Sequence, residues 1–464
     1  MRFVVEMPDS YVAEREYVVR VVLTHFLGLD YELRLAPNKV VSIALNGQPG
    51  RIVLADVLFQ TPRDKWLTSS SLPSQPLAVH KPDVGDLRAN LVSKQVPIIY
   101  GSSSSDFVRE NNDPGLNVPL DIFGSIFFML SRYEELVCAT LDAHQRVPAE
   151  ASLAAKEGFL DRPIVDEYVE LLWAAIEKLW PGVKRSTRSF RMNLSCDVDR
   201  PFDLSVHALS SAFRRVMGDL LKRKSAALAL DTINYARSVQ AQGISADKMW
   251  TFEMMMDACE ALNLKCSFYF ITDINHERDG KGYWGDQRIQ GLLTEIHARG
   301  HAIGLHGSYT AYDDEARIKN EFDRLLGSCE QIGIKQSNWG GRQHYLRWEA
   351  PTTWRCWAKA GLDYDSTVGY ANRSGFRCGT CHDFPVFDCV LSQELSIQEK
   401  PLIVMEGTLL SHLYEGLAPE DALERMVYFK NICRQFDGSF NLLWHNSSLV
   451  YDREKKMFDH ILAA

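Results

Sequence analysis

The sequence has no run approaching the roughly 20 consecutive apolar residues that cross a bilayer, so a helical membrane span is not expected. Its first residues, MRFVVEMPDSYVAEREYVV, meet Asp, Glu and Arg before any long apolar stretch, which argues against a secretory leader. Neither GxxxxGK[ST] nor GxGxxG occurs, and a phosphate- or dinucleotide-binding enzyme of those classes is left without its backbone cradle. Internal repeats and low-complexity tracts are also missing. An excess of positive charge is lacking too: 51 Lys and Arg against 60 Asp and Glu leave a net charge of -9. A general phosphate binder needs a basic surface, so no nucleic-acid partner is expected. The short basic run Lys222, Arg223, Lys224 reads as a solvated helix face. The ten cysteines are scattered through 464 residues, which fits reduced thiols in the cytoplasm better than a disulfide framework. Cys378 and Cys381 form a CxxC without a second pair nearby, so structural thiols are expected there and not a zinc ribbon.

What is present describes a globular chain, 46% hydrophobic and 24% charged. At about 150 residues per domain it makes two or three domains, although one α/β barrel takes about 250. The first part reads as mixed α/β. Strands are predicted at Val40–Leu45 and Arg51–Leu54 around the Asn46-Gly47 turn, and at Gln95–Tyr100, ending at the turn-rich GSSSSD. Helices are predicted at Asp121–Tyr133, with Asp121 as N-cap, and at Pro163–Trp180, which Pro181-Gly182 stops. After Lys184 strands and helices alternate. Strands are predicted at Arg191–Cys196, Leu264–Ile271, Ala302–Leu305, Pro401–Met405 and Phe440–Trp444. The helices between them are Gln287–Arg299, Ala316–Gln331, Ala350–Ala360 and Pro419–Phe436. Such alternation implies a mostly parallel sheet covered by helices. Asp197, Asp199, His306 and His445 recur at the ends of the predicted strands, and in a parallel barrel those ends share one rim.

The residues themselves suggest chemistry. In Ser195-Cys196-Asp197-Val198-Asp199-Arg200-Pro201 the two aspartates sit at i and i+2, which on a strand face the same side. Two close carboxylates repel unless a cation lies beside them; a divalent metal on one, with the other free as a base, resolves that. A loop using Asp and Pro as turn formers is the equally open alternative. In Gly300-His301-Ala302-Ile303-Gly304-Leu305-His306-Gly307, His306 ends a predicted strand and is a metal-ligand candidate, whereas His301 precedes it and is expected to serve structure. In GGRQHYLRW, Arg342 is placed to hold a carboxylate ionised, against the alternative of an ordinary surface loop. In LLWHN, His445 follows an apolar strand, a setting for a histidine general acid.

This set, in this order, with the GLDYDST segment between the third and last strings, resembles the polysaccharide deacetylase superfamily (carbohydrate esterase family 4 and relatives) over roughly Arg191 to the C-terminus. The resemblance implies an α/β protein: an incomplete (β/α) barrel over residues 185–464, preceded by a smaller mixed α/β domain of unknown role over residues 1–184. It implies a metal-dependent hydrolase that removes N- or O-acetyl groups from a carbohydrate. The DxD spacing is similar to the branch acting outside the chitin and peptidoglycan group. DIFGSIFFMLSRYEE, GFLDRP, RQHYLRW and LLWHN resemble a bacterial subgroup with an extra N-terminal domain, whose members look like participants in surface-polysaccharide or glycan biosynthesis.

The resemblance implies roles residue by residue. Asp199 and His306 hold a divalent metal, zinc first among candidates; Asp197 is the base, Arg342 orients it, His445 is the acid, and Asp365 supports His445. Tyr309, Tyr345 and Trp348, taken as exposed, stack on a sugar face, with core packing as the alternative. One departure stands out. Four residues after His306 the family places a second metal histidine, and here that position is Thr310. His344 is the candidate replacement ligand, against the alternative that it bonds its own loop. A degraded site, leaving a carbohydrate-binding or scaffold module, is the other functional reading.

Overall fold

The computed structural model describes residues 1–37, 40–81, 89–102 and 115–464. The predicted turn-rich stretch after Tyr100 lies outside the described residues from Ser103 on. The chain opens with β1 (Phe3–Pro8), in which buried Phe3, Val5 and Met7 alternate with half-buried neighbours. Helical backbone over Val12–Arg20 and Val21–Phe26 carries the chain to β2 (Tyr31–Ala36), parallel to β1. β3 (Val41–Leu45) and β4 (Arg51–Leu54) pair antiparallel across the expected Asn46-Gly47 turn, where Gly47 takes a φ of 75°.

The strand expected at Gln95–Tyr100 shrinks to two residues, because its backbone is used elsewhere. β5 (Val79–His80) and β6 (Val96–Pro97) form a short ladder. Beyond it, the Ile99 N–H donates to Tyr168 Oη (3.0 Å) and the Tyr100 N–H to Ser125 Oγ (3.2 Å). β7 (Gly115–Val118) closes a first sheet of order β2-β1-β3-β4-β7. Asp121 caps the next helix, accepting from the Gly124 N–H at 2.7 Å. That helix ends at Leu130, short of the predicted Tyr133, because Arg132 adopts a left-handed φ of 53°.

The second sheet is built from residues 191–443 and has nine strands: β8 (Arg191–Val198), β9 (Cys266–Phe270), β10 (Ala302–Gly307), β11 (Gly340–Gln343), β12 (Tyr364–Asp365), β13 (Phe384–Asp388), β14 (Gln393–Glu399), β15 (Val404–Met405) and β16 (Ser439–Leu443). Their order is β13-β14-β12-β11-β10-β9-β8-β16-β15, a curled half-barrel in which every pairing is parallel except the β13–β14 hairpin. Glycine permits a close approach between β10 and β11. A Cβ on Gly341 would fall 1.8 Å from Leu305 O, and one on Gly304 would fall 2.3 Å from Gly340 O. The glycines of the second and third strings therefore let the two strands that carry His306 and Arg342 lie side by side in register.

Besides Phe252–Glu260, which packs into the main core, three further helices between β8 and β9 were not expected from the sequence: Leu204–His207, Leu209–Leu221 and Ala226–Gln242. They have a small core of their own around Val206, Ala212, Tyr235, Ala236 and Val239. Among the described residues no helix is long and apolar enough to cross a membrane.

A single hydrophobic core runs from the first sheet into the second. Phe387 of β13 meets Tyr17 (4.9 Å between ring centres) and Phe127 (5.4 Å), so the edge hairpin is covered by N-terminal residues. A buried charge network reinforces this junction. Glu135 Oε1 accepts from Arg132 Nε (2.9 Å), Arg132 Nη2 (2.8 Å) and Arg377 Nε (2.9 Å), and Glu135 Oε2 from Arg377 Nη2. All three side chains are almost wholly buried, and both guanidiniums also donate to backbone carbonyls, Arg132 to Met129 O and Arg377 to Gly369 O.

Candidate active site

The parallel pairing brings the strand ends to one mouth. Asp197, next to the last residue of β8, is in register with Tyr269, and His306 of β10 pairs with Arg342 of β11. Ser195 and Asp197 share a face of β8, and Arg342 Nη1 reaches both, donating to Ser195 Oγ (2.9 Å) and Asp197 Oδ1 (2.7 Å). The same guanidinium is braced behind by Ser366, with Nε donating to its carbonyl at 2.8 Å. Asp197 is thus a buried carboxylate whose charge is balanced by one fixed arginine. Ser195, which completes that clamp, escaped the sequence analysis; the i, i+2 spacing from Asp197 is the signal that marks it.

Asp199 lies just beyond β8 and faces three imidazoles. Its Oδ1 is 3.2 Å from His306 Nε2 and 3.5 Å from His344 Nε2, and its Oδ2 is 3.8 Å from His445 Nε2. The hydrogen bonds behind two of the histidines settle their tautomers. His306 Nδ1 donates to Arg342 O (2.8 Å), a carbonyl that can only accept, and His344 Nδ1 donates to Asp279 Oδ1 (2.9 Å). In the neutral rings both Nε2 lone pairs then point at Asp199 Oδ1, a buried oxygen with no hydrogen bond of its own. Three acceptors aimed at one point repel one another unless a metal ion or a proton lies among them. Burial lowers the pKa of His306, but the charges of Asp197 and Asp199 outweigh it and raise it, so without a metal a proton takes that place. Burial pushes the Asp199 carboxyl up, but His344, with His306 and His445, outweighs it and holds the group well below the usual carboxylate range. The three ligand atoms lie within 4.8 Å of one another, and a carboxylate and two outward-braced imidazoles are the donor set a catalytic divalent site uses.

Thr310, where the family would place a histidine, is occupied elsewhere: its Oγ1 accepts from Arg317 Nη1 at 2.9 Å. His344 is presented instead by a strained turn, in which Tyr345 and Leu346 both take left-handed backbone, φ 61° and 52°. N-terminal residues pin that turn. Arg146 donates to Tyr345 O, and Arg347 Nε donates to His144 O at 2.8 Å. His301, as expected, serves structure, accepting from the Cys266 N–H at 3.0 Å.

His445 follows β16 and lines the same cleft as Asp197, Asp199, His306 and His344. Its supporting carboxylate differs from the expected one. Asp365 makes no contact with His445; its Oδ1 accepts from the Thr367 N–H at 2.9 Å, and burial pushes its pKa up. Glu406 takes that place: its Oε1 accepts from both the backbone N–H (3.0 Å) and Nδ1 (2.7 Å) of His445. Burial lowers the pKa of His445, but the Glu406 charge and hydrogen bond outweigh it and raise it to about 10. Glu406 directly follows β15, so the strand-end reasoning that found His445 would have found it too.

The aromatic expectations divide. Tyr345 lines the cleft, while Trp348 is only 1% exposed and packs on Trp354, 4.6 Å between ring centres. Tyr309 is also buried, stacked on His276 at 4.6 Å with its hydroxyl bonded to His144. Both therefore depart from the exposed placement expected of them; each is held between its own loop and neighbouring side chains. The CxxC thiols are buried and, like the other eight cysteines, free. Cys381 does group with Asp166 and His382. There the Asp166 oxygens already accept from Thr380 Oγ1 (2.6 Å) and the Cys381 N–H (2.9 Å), and burial keeps the thiol protonated.

Residues 3–181 match the model of a family of unknown function, DUF7033. No curated protein matches the chain. Among solved structures, it is similar to an assigned polysaccharide deacetylase from Mycobacterium smegmatis, at 14% identity over 61% of this chain and 85% of that one, with a TM-score of 0.38. An assigned polysaccharide deacetylase from Pseudomonas aeruginosa PAO1 matches at 12% identity over 67% and 90%, TM-score 0.36. Puue allantoinase matches at 13% identity over 61% and 85%, TM-score 0.34.

Proposed function

We propose that the chain is a metal-dependent hydrolase that removes an acetyl group from an N- or O-acetylated sugar in bacterial surface-polysaccharide or glycan biosynthesis. The observation that carries this reading is the convergence of Asp199 Oδ1, His306 Nε2 and His344 Nε2, with Asp197 and His445 in the same cleft. A divalent cation held by those three ligands, zinc by the preference of imidazole, would polarise the acetyl carbonyl and make water a better nucleophile. Asp197, held in place by Arg342, is positioned to take the proton from the attacking water. His445, kept protonated by Glu406, gives its Nε2 proton to the leaving nitrogen as the carbon–nitrogen bond breaks, and acetate and a free amine result. Tyr345 offers a ring to the sugar. The free thiols fit a reducing compartment, and we place the protein in the cytoplasm.

Two experiments test this reading. Metal content is measured on protein purified without added metal, followed by zinc affinity of the His306→Ala and His344→Ala variants. Both variants should lose on the order of 100-fold or more, since even outer-shell losses cost about 10–100-fold, and Thr310→Ala should bind as the parent does. If His344→Ala keeps full affinity, His344 is not a ligand; if the parent binds no divalent metal, the carbohydrate-binding module is the better reading.

The second experiment is the pH profile of Glu406→Gln. A histidine acid must carry its proton, so activity falls as pH rises through its pKa. Because Glu406 raises that pKa to about 10, removing the charge should move the basic limb of kcat/KM to lower pH and leave the acidic limb in place. A basic limb that stays where it was would remove Glu406 from this role.

A further inference from the structure

The helical insert between β8 and β9 leaves apolar side chains in solvent. Leu209 (78% exposed), Phe213 (65%) and Leu220 lie at i, i+4 and i+11 of one helix, which places them on one face. Their face lies about a quarter turn around the helix from the buried side that carries Ala212 and Asp219. Leu221 is exposed at the helix end, and Leu228 and Leu230 are exposed on the next helix.

Charge is segregated onto the same element. Residues 204–242 contain six Lys and Arg (Arg214, Arg215, Lys222, Arg223, Lys224, Arg237) against two acids (Asp219, Asp231), a formal +4 in a chain of net -9. Two of the six cations are paired, Arg223 with Asp219 and Arg215 with Asp203 just before this stretch, so the excess rests on Arg214, Lys222, Lys224 and Arg237. An apolar stripe bordered by basic side chains is the pattern of a helix lying in a lipid interface, its apolar face among acyl chains and its cations at the headgroups. A protein partner would need a matched acidic and apolar groove; an anionic leaflet supplies both requirements without a shaped site.

We propose that this insert docks the protein on an anionic lipid surface. It follows β8 at the end that carries Asp197 and Asp199, so the insert starts from the rim of the cleft. The proposal does not depend on the chemistry of the cleft and is tested without it.

The full chain is sedimented with vesicles of phosphatidylcholine alone and of equal parts phosphatidylcholine and phosphatidylglycerol, at low and high salt. Binding is expected to the mixed vesicles, to weaken with salt, and to be absent on phosphatidylcholine alone. Leu209→Ser and Phe213→Ser should each weaken it about tenfold, the loss from one large apolar side chain. Lys222→Glu with Lys224→Glu should weaken it as well. All four side chains are exposed, and an unchanged circular dichroism spectrum verifies the fold. Failure to bind mixed vesicles at low salt overturns the proposal, as does binding indifferent to Leu209→Ser and Phe213→Ser. A parent dimer by light scattering that those two substitutions convert to monomer overturns it in favour of a second copy of the chain.

Discussion

His445→Gln should lower kcat for acetyl release by about 100- to 10,000-fold, the contribution of a positioned proton donor, while zinc content stays at the parent level. Glutamine keeps the side chain polar but offers no titratable proton. The loss should fall on kcat, since His445 is asked to act as the bond breaks and not when the sugar binds. Its environment supports that role. Glu406 holds Nδ1 at 2.7 Å and leaves Nε2 toward the cleft, 3.8 Å from Asp199 Oδ2. A fall of less than tenfold, or loss of zinc along with activity, would show that His445 is not the acid.

Glu135→Ala should cost about 3–5 kcal/mol of stability, the range for breaking a buried ion pair from one side. The substitution strands the guanidinium of Arg377, almost wholly buried, with the Gly369 carbonyl as its remaining partner. Arg132, also buried, keeps its ion pair with Glu134 Oε1 (2.9 Å), so the cost falls chiefly on Arg377. Because the network ties the helix at Tyr133–Val137 to the stretch around Arg377, loosening should appear there first. Faster labelling of buried Cys378 and Cys381 by a thiol reagent would report it locally, and a lower urea midpoint would report it globally. A cost below about 1 kcal/mol would mean that water reaches the network and screens it.

Both predictions rest on residues with different histories in the reading of the chain. His445 was recognisable because an apolar strand runs straight into it, and the same local pattern marks Asp197 and His306. Glu406 fits that pattern as well, but the expected strand at Pro401–Met405 shortens to Val404–Met405, and the resemblance directed attention to Asp365. Asp279, which orients His344, lies in a short helical turn over Glu277–Asp279 that has no periodic signature. Trp348 and Tyr309 looked like surface residues because polar neighbours surround them in sequence, and nothing local reveals the rings that cover them. The insert over residues 204–242 mixes polar and apolar residues, and several of its apolar side chains face solvent, which blurs the helical pattern.

The sequence by itself determined part of the alternation of strands and helices after Lys184 and the placement of Asp197, Asp199, His306 and His445 at or just beyond strand ends; the strands from Gly340 to Glu399, too short or too polar to show a period, came only with the fold. What was legible follows from short-range rules: side-chain periodicity and the limits that proline and glycine impose. Only the tertiary structure decided that His344 joins Asp199 and His306 in place of Thr310, that Glu406 and not Asp365 backs His445, and that N-terminal Arg146 pins the turn presenting His344. Those contacts join residues tens to hundreds of positions apart. They depend on strand register and on which buried charges find partners, and neither is encoded in any local stretch of the chain.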